Sequence, residues 1–339
     1  MATPVLICDD SALARKQLAR TLPADWNVDV SFAQNGIEAL AAIRAGKGDV
    51  LFLDLNMPGM DGYEVLQTIR QERLNTRVIV VSGDVQPEAI QRVMAMGALV
   101  FLKKPVVAEQ LAQTLLRFGL HGGRSTGAQA GEKIAPSTDS GDAAIDYWDC
   151  YREVANVAMG RAADMLARLL EIFVLMPLPH VNMLTRGELS MALAQAGEKA
   201  KATAICQGFI GSGIAGEALL IFHESCLSDI AALLNYHDEI NDHIRIELLM
   251  DIAAILIGAC LKGISDQLDI SFSQGQPLVL GHHVRVEDLL SHNPQHWQSI
   301  LTIEMGCRIE NRDVSCDLLL LFTEDSLPSL NEHVAYIAG

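Results

Sequence analysis

The segment LFLDLNMPGMDG, residues 51–62, decides the fold of the first third of the chain. It begins with an apolar run too short for a helix, passes through Asp54 and ends among proline and glycine residues. A short, continuously apolar run bounded by turn residues is typical of a strand buried on both faces of a parallel sheet. Asp54 would then lie beyond the carboxyl end of its strand, where such sheets bind ligands.

Further apolar runs flank this segment, and a helical pattern follows each of them. They are Val5–Cys8, Val78–Val81 and Leu99–Leu102, with a weaker run at Val28–Ser31. With Val50–Leu53 they make five β-α units, which predicts a doubly wound parallel α/β domain over residues 1–120.

Polar residues follow these predicted strands at the same edge of the sheet. Asp9 and Asp10 come after the first strand, Asp54 after the third, Ser82 after the fourth and Lys104 after the fifth. Crowded carboxylates repel one another unless a cation neutralises them, and Mg²⁺ suits such a set of oxygen ligands. Asp54 could then attack a phosphoryl donor, with Lys104 and Ser82 contacting the transferred group.

On these residues, positions 4–118 resemble a bacterial response-regulator receiver domain with a flavodoxin-like fold. The matching stretches are ICDDS at 7–11, LDLNMPGMDG at 53–62, VSG at 81–83 and FLKKP at 101–105. The resemblance implies that Asp54 is the phosphorylation site. It also implies that Asp10, Asp54 and the carbonyl of Asn56 hold Mg²⁺, with Asp9 acting through water.

The same resemblance implies a conformational switch and a phosphoryl donor. Ser82 and Phe101 would be the pair that moves on phosphorylation, and Lys104 would contact the phosphate. We expect the Lys104-Pro105 peptide to be cis. The donor would be a cognate sensor histidine kinase.

A change of composition marks the second half of the chain. Residues 121–143 are rich in Gly, Ser, Thr and Ala and predict a flexible linker before a second domain at 144–339. Within that domain the pattern predicts helices over 146–170, 225–234 and about 242–262, and strands over 202–209, 214–222, 299–308 and 314–322.

One face of the first of these helices carries a polar motif. Asp149, Glu153 and Asn156 are spaced i, i+4, i+7, and Pro179 follows after 22 residues. An amide that can hold a water and an acid that can pair with a lysine suit hydrolysis of a phosphoryl group. The alternative is a polar solvent face with acids near the helix N-terminus.

The motif recurs 98 residues later in altered form. Glu247, Asp251 and Ala254 replace the three polar residues, Pro277 replaces Pro179, and Gly258 keeps the position of Gly160. The duplication predicts a pseudo-two-fold α/β domain. Because alanine cannot hold a water, we expect the second copy to be structural or inactive.

Residues of about 145–325 resemble the CheC/CheX/FliY phosphatases, which dephosphorylate chemotaxis receivers. The resemblance rests on Asp149-x3-Glu153-x2-Asn156-x22-Pro179. It implies that Asn156 orients the attacking water and that Glu153 docks the substrate.

Together the two halves predict a cytoplasmic response regulator of the chemotaxis type. Its output domain would hydrolyse the aspartyl phosphate of a CheY-like receiver, of its own receiver, or of both, with phosphorylation of Asp54 tuning the activity. The alternative is a binding module for a phosphorylated receiver or a flagellar component, without turnover. The sequence leaves open whether the protein forms a homodimer.

Charge and cysteine usage exclude other classes. The net charge is −17, of which residues 1–118 carry −1 and the remainder −16. We therefore expect no nucleic acid and no anionic membrane as partner. We expect no leader, and the sequence has no long apolar span; its seven cysteines form no CxxC pair, which favours reduced thiols.

Overall fold

The computed structural model describes residues 2–121, 146–189, 191, 202–223, 227–233, 236, 241–282, 299–312 and 314–338. The predicted linker at 121–143 falls outside these ranges except for its first residue. Among the described residues, no helix has the length and apolar character needed to cross a membrane.

The N-terminal domain is a five-stranded parallel sheet with helices on both faces. Its strands are β1 (Thr3–Cys8), β2 (Val28–Ala33), β3 (Val50–Leu53), β4 (Arg77–Ser82) and β5 (Val100–Lys103), in the order β2-β1-β3-β4-β5. Its helices are α1 (Ala12–Thr21), α2 (Gly36–Arg44), α3 (Gly62–Glu72), α4 (Pro87–Ala95) and α5 (Ala108–Arg117). This arrangement confirms the predicted doubly wound fold.

The central strands are apolar throughout because both faces are covered. In β3, Leu51 and Leu53 join one buried cluster, while Val50 and Phe52 join the cluster on the opposite face. Helix α3 then begins close to the end of β3. A Cβ at Gly62 would lie 2.3 Å from the carbonyl oxygen of Asp54, so glycine permits this approach.

In the described residues, the C-terminal domain combines α-helices with an antiparallel sheet. The helices are α6 (Tyr147–Leu170), α7 (Leu227–Leu233), α8 (Asp242–Leu268) and α9 (Leu327–Ala338). The strands are β6 (Val174–Leu175), β7 (His180–Thr185), β8 (Ala202–Gly211), β9 (Ile214–His223), β10 (Ser273–Gln274), β11 (Leu278–His282), β12 (Ser299–Ile309) and β13 (Ser315–Phe322).

The strand order shows the predicted pseudo-two-fold symmetry. Hairpin β8–β9 meets hairpin β12–β13 through the central β9–β13 pair. The short strands after each long helix cross to the other repeat: β6 and β7 pair with β12, and β10 and β11 pair with β8. The exchange interlocks the repeats, so neither copy completes its sheet alone.

The two long helices pack closely against each other. A Cβ at Gly263 of α8 would lie 2.7 Å from the Cα of Ala158 in α6. Gln267 adds a hydrogen bond to the carbonyl of Val154 at 2.8 Å. Helix α8 continues to Leu268, beyond the predicted end near 262. Gly263 does not end the helix, because it allows the close contact with α6. The terminal helix α9 was not predicted.

Candidate functional site

The polar groups at the strand ends of the N-terminal domain lie together, as their positions predicted. Ligand oxygens of Asp9, Asp10 and Asp54 lie within 4.8 Å of one another. The Nζ of Lys104 is 2.7 Å from Asp9 Oδ2 and 3.4 Å from Asp54 Oδ1. Asp54 and Lys104 are both buried. Solvent therefore reaches the cluster mainly at Asp10, which is partly exposed.

Burial and mutual repulsion shift the pKa values of these groups. Burial raises the pKa of Asp54 well above its ordinary range, although Lys104 acts in the opposite direction. Burial also raises the pKa of Asp10 to about 6, and the charge of Asp9 adds to the effect. Burial disfavours the charge on Lys104, but the carboxylates of Asp54 and Asp9 outweigh it and raise the lysine pKa.

This donor set fits a divalent cation. Both carboxylate oxygens of Asp54 are buried, and neither accepts a hydrogen bond from the described residues. One lysine does not offset the charge of three acids, as the raised pKa values of Asp10 and Asp54 indicate. Mg²⁺ binds such oxygen ligands and keeps several waters.

The predicted switch residues occupy neighbouring strands. Ser82 ends β4 fully buried, and its Oγ accepts a hydrogen bond from the backbone N–H of Asp84 at 3.2 Å. Phe101 lies on β5 and is partly buried. The Lys104-Pro105 peptide is cis, as expected.

The polar face of α6 lies directly on this cluster of the same chain. Glu153 Oε1 is 3.1 Å from Lys104 Nζ, so the lysine joins carboxylates of both domains. Burial raises the pKa of Glu153 to about 7, with Lys104 opposing the shift. The interpretation of this face as a solvated one is wrong, because Asp149, Glu153 and Asn156 are all buried.

Asn156 meets the residue that lies two positions after Asp54. The Nδ2 of Asn56 is 3.5 Å from the Oδ1 of Asn156, the outer limit of a hydrogen bond. The Asn156 amide therefore stands beside the loop that follows Asp54, with its oxygen directed at the side chain of Asn56.

Asp149 contacts the start of α1, a role that the sequence did not predict. Its Oδ2 accepts the backbone N–H of Leu13 at 2.9 Å and lies 3.3 Å from the hydroxyl of Ser11. The first N–H groups of a helix have no partner within the helix. Asp149 thus caps a helix of the other domain and opposes its positive dipole end.

Two glycines allow α6 to approach the loop between β4 and α4. A Cβ at Gly160 would lie 2.1 Å from the carbonyl oxygen of Gly83. A Cβ at Gly83 would lie 3.0 Å from the Cα of Val157. Backbone therefore lies against backbone here, and neither position has room for an ordinary side chain.

Gln86 adds a buried contact in the same region. Its Nε2 donates to the carbonyl of Val174 at 2.8 Å, and its Oε1 accepts the N–H of Val174 at 2.8 Å. The sequence carried no signal for this contact, because a glutamine before a helix is an ordinary surface residue. At the rim, Arg92 pairs with Glu310 and stacks over Phe173, 4.2 Å from the ring centroid.

The second copy of the motif lies on a different surface. Glu247, Asp251 and Ala254 are exposed on α8. A Cβ at Gly258 would meet just the Oε1 of Gln274, at 3.8 Å. The described residues thus leave this face of α8 open, whereas the N-terminal domain covers the corresponding face of α6.

Comparisons with known proteins identify the N-terminal domain. The model of the response regulator receiver domain matches residues 5–116. A protein-glutamate methylesterase/protein-glutamine glutaminase of Rhodospirillum rubrum is 41% identical over 104 residues, covering 30% of this chain and 28% of that protein. A probable transcriptional regulatory protein NarL of Mycobacterium tuberculosis is 34% identical over 113 residues, 33% of this chain and 52% of that one.

The chain thus spans 28% and 52% of the lengths of these two relatives. Among solved structures, FliY of Thermotoga maritima resembles 57% of this chain and 98% of its own, at 17% identity and a TM-score of 0.45. On the family match and the geometry of the acidic cluster, residues 5–116 of this chain are a response regulator receiver domain.

Proposed function

We propose that this chain is a response regulator whose C-terminal domain hydrolyses the aspartyl phosphate of its own receiver. One observation carries the proposal: α6 applies Glu153 and Asn156 to the phosphorylation site of the same chain. Both halves of the proposed site therefore come from one chain. A linker within one chain also gives the two domains a high effective concentration.

Asp54 is the phosphorylation site in this proposal, and a sensor histidine kinase is the donor. Asp10, Asp54 and the carbonyl of Asn56 would hold Mg²⁺, with Asp9 acting through water. When bound, the cation offsets negative charge on the phosphoryl oxygens. Lys104 neutralises further charge on the phosphate, and Ser82 donates a hydrogen bond to it. Phe101 would follow Ser82 as the switch.

Glu153 and Asn156 have separate roles. Glu153 holds Lys104 and so fixes α6 in register over Asp54. The uncharged amide of Asn156 orients a water in line with the bond between phosphorus and the Asp54 oxygen. Attack forms a new bond from water oxygen to phosphorus and breaks the bond to Asp54. Both protons of the water leave with the inorganic phosphate, as dihydrogen phosphate, and Asp54 returns as a carboxylate.

The test is the lifetime of phospho-Asp54 in the full chain with Mg²⁺. We expect Asn156→Ala to lengthen it by about a hundredfold, because a misplaced reactant costs about that factor. Asn182→Ala is the matched control, since Asn182 is exposed on β7 of the same domain. Its lifetime should equal that of the wild type.

Equal lifetimes in the wild type and Asn156→Ala would overturn the proposal. The contact between the domains would then be a docking contact without turnover. That result would favour the alternative of a binding module for phosphorylated receivers or flagellar components.

A further inference from the structure

We propose that the loop between β4 and α4, Gly83–Gln86, is the element by which the C-terminal domain selects its substrate. The inference rests on the proposed function and names its partner. The partner is a receiver with glycine directly after the switch serine and glutamine three residues beyond that glycine. The receiver of this chain meets both conditions.

Gln86 recognises the main chain of the C-terminal domain in the manner of a neighbouring strand. A primary amide side chain offers a donor and an acceptor side by side, as a peptide group does. Gln86 uses both on the N–H and C=O of Val174, at 2.8 Å each. Val174 lies on β6, so the side chain extends the hydrogen bonding of that strand to the receiver.

The loop itself also holds the amide in place. The Oδ1 of Asp84 accepts both the backbone N–H and the Nε2 of Gln86, each at 3.1 Å. Gln86 is 1% exposed, so an unsatisfied group there would be buried without water. A glutamate has no hydrogen to donate to the Val174 carbonyl and would stand beside Asp84. An asparagine is one methylene too short.

The requirement for glycine after the switch serine follows from the shape of the contact. The carbonyl of Gly83 occupies the space that a Cβ at position 160 would need. Because the obstructing atoms belong to the backbone, no rotamer change can relieve the overlap. A bulky residue at position 83 would likewise collide with the backbone of α6 at Val157. A receiver with such a residue would be excluded even with its phosphorylation site intact.

Hydrogen exchange at the Leu13 amide measures docking without any catalysis. This N–H lies in the first turn of α1, and Asp149 of the other domain accepts it. Undocking therefore exposes it without unfolding either domain. The lifetime of phospho-Asp54 in the same proteins measures turnover separately.

The variants are Gln86→Glu and Gly160→Ala in the full chain, with Gln113→Glu and Gly258→Ala as matched controls. An acid at the N-terminus of α4 favours the helix, and alanine suits the interior of α6, so both domains should fold. Gln113 is exposed on α5, and a Cβ at Gly258 would make no contact shorter than 3.8 Å. Thermal unfolding checks the fold of every variant.

We expect Gln86→Glu and Gly160→Ala to speed exchange of the Leu13 amide by about tenfold or more and to lengthen the phosphate lifetime. The controls should match the wild type. Slow exchange retained in both variants would overturn the inference, whatever the lifetimes. Fast exchange with unchanged lifetimes would support the docking element and overturn the phosphatase proposal instead.

Discussion

Helices α6 and α8 hold equivalent positions in the duplicated domain, but their outer faces have different surroundings. The receiver buries Glu153 and Asn156 on α6, whereas Asp251 and Ala254 on α8 are exposed. The glycines differ in the same way, since Gly160 touches the Gly83 carbonyl, whereas a Cβ at Gly258 would make just an ordinary van der Waals contact with Gln274. The receiver thus covers the outer face of α6 and leaves that of α8 exposed. Because the two helices hold equivalent places in the fold, their side chains distinguish them.

We expect the largest effect from breaking the ion pair between Glu153 and Lys104. Glu153→Gln removes the charge that meets Lys104 but keeps the shape of the side chain. Loss of a buried charge-assisted contact weakens docking by about 2–3 kcal/mol, so the phospho-Asp54 lifetime should rise by about 30- to 150-fold.

Asp251→Asn is the control for that change on α8, where the acid is exposed. Its phosphate lifetime should equal that of the wild type. A similar rise in both variants would mean that the effect comes from net charge rather than from the contact with Lys104.

The second prediction concerns access to Asp54, whose side chain is fully buried under α6. A phosphoryl donor would reach it when the domains part, so docking excludes transfer from the donor, whereas hydrolysis follows once the phosphorylated receiver docks again. Gly160→Ala should therefore raise the rate at which a small acyl phosphate modifies Asp54, by about tenfold or more. The rate is read from the appearance of the phosphorylated chain by mass spectrometry. An unchanged rate would contradict the exclusion.

The third prediction weakens the cap that α6 supplies to α1. Asp149→Ala removes the acceptor of the Leu13 N–H, and loss of a helix cap costs about 1 kcal/mol. The domains should part about five times more often. Hydrogen exchange at the Val174 amide, which lies elsewhere in the interface, measures this change. Glu247→Ala, at the equivalent exposed position of α8, should leave that exchange unchanged.

We expect the smallest effect from restoring the polar motif on α8. Ala254→Asn restores the amide to the second copy, but the receiver does not cover that part of α8. The phospho-Asp54 lifetime should stay at the wild-type value. A shorter lifetime would mean that the receiver also visits α8.

The sequence was sufficient to predict the receiver and the duplication. Alternating apolar runs and helical patterns fix a parallel sheet, and the polar residues at its strand ends must then converge. The repeat of Asp149, Glu153 and Asn156 at an offset of 98 residues predicted two related helices. Each of these signals is local or periodic, so it can be read along the chain.

The contacts between the domains could not be predicted in the same way. Helical spacing shows that Glu153 and Asn156 share a face but does not show what covers that face. Gln86 became a recognition residue through the position of Val174, which lies 88 residues away. The two-residue strands β6 and β10 have too few residues for any pattern, so the exchange between repeats was also missed.

The central claim is that the phosphatase site acts on the receiver of its own chain. It is tested most directly by following phospho-Asp54 loss across a dilution series in three samples. These are the wild type, Asn156→Ala, and phosphorylated Asn156→Ala mixed with an Asp54→Asn chain that keeps Asn156. We predict rapid loss in the wild type at every dilution, and slow loss in the variant that the added chain does not restore when dilute. Loss at one common rate in all three samples would contradict the account.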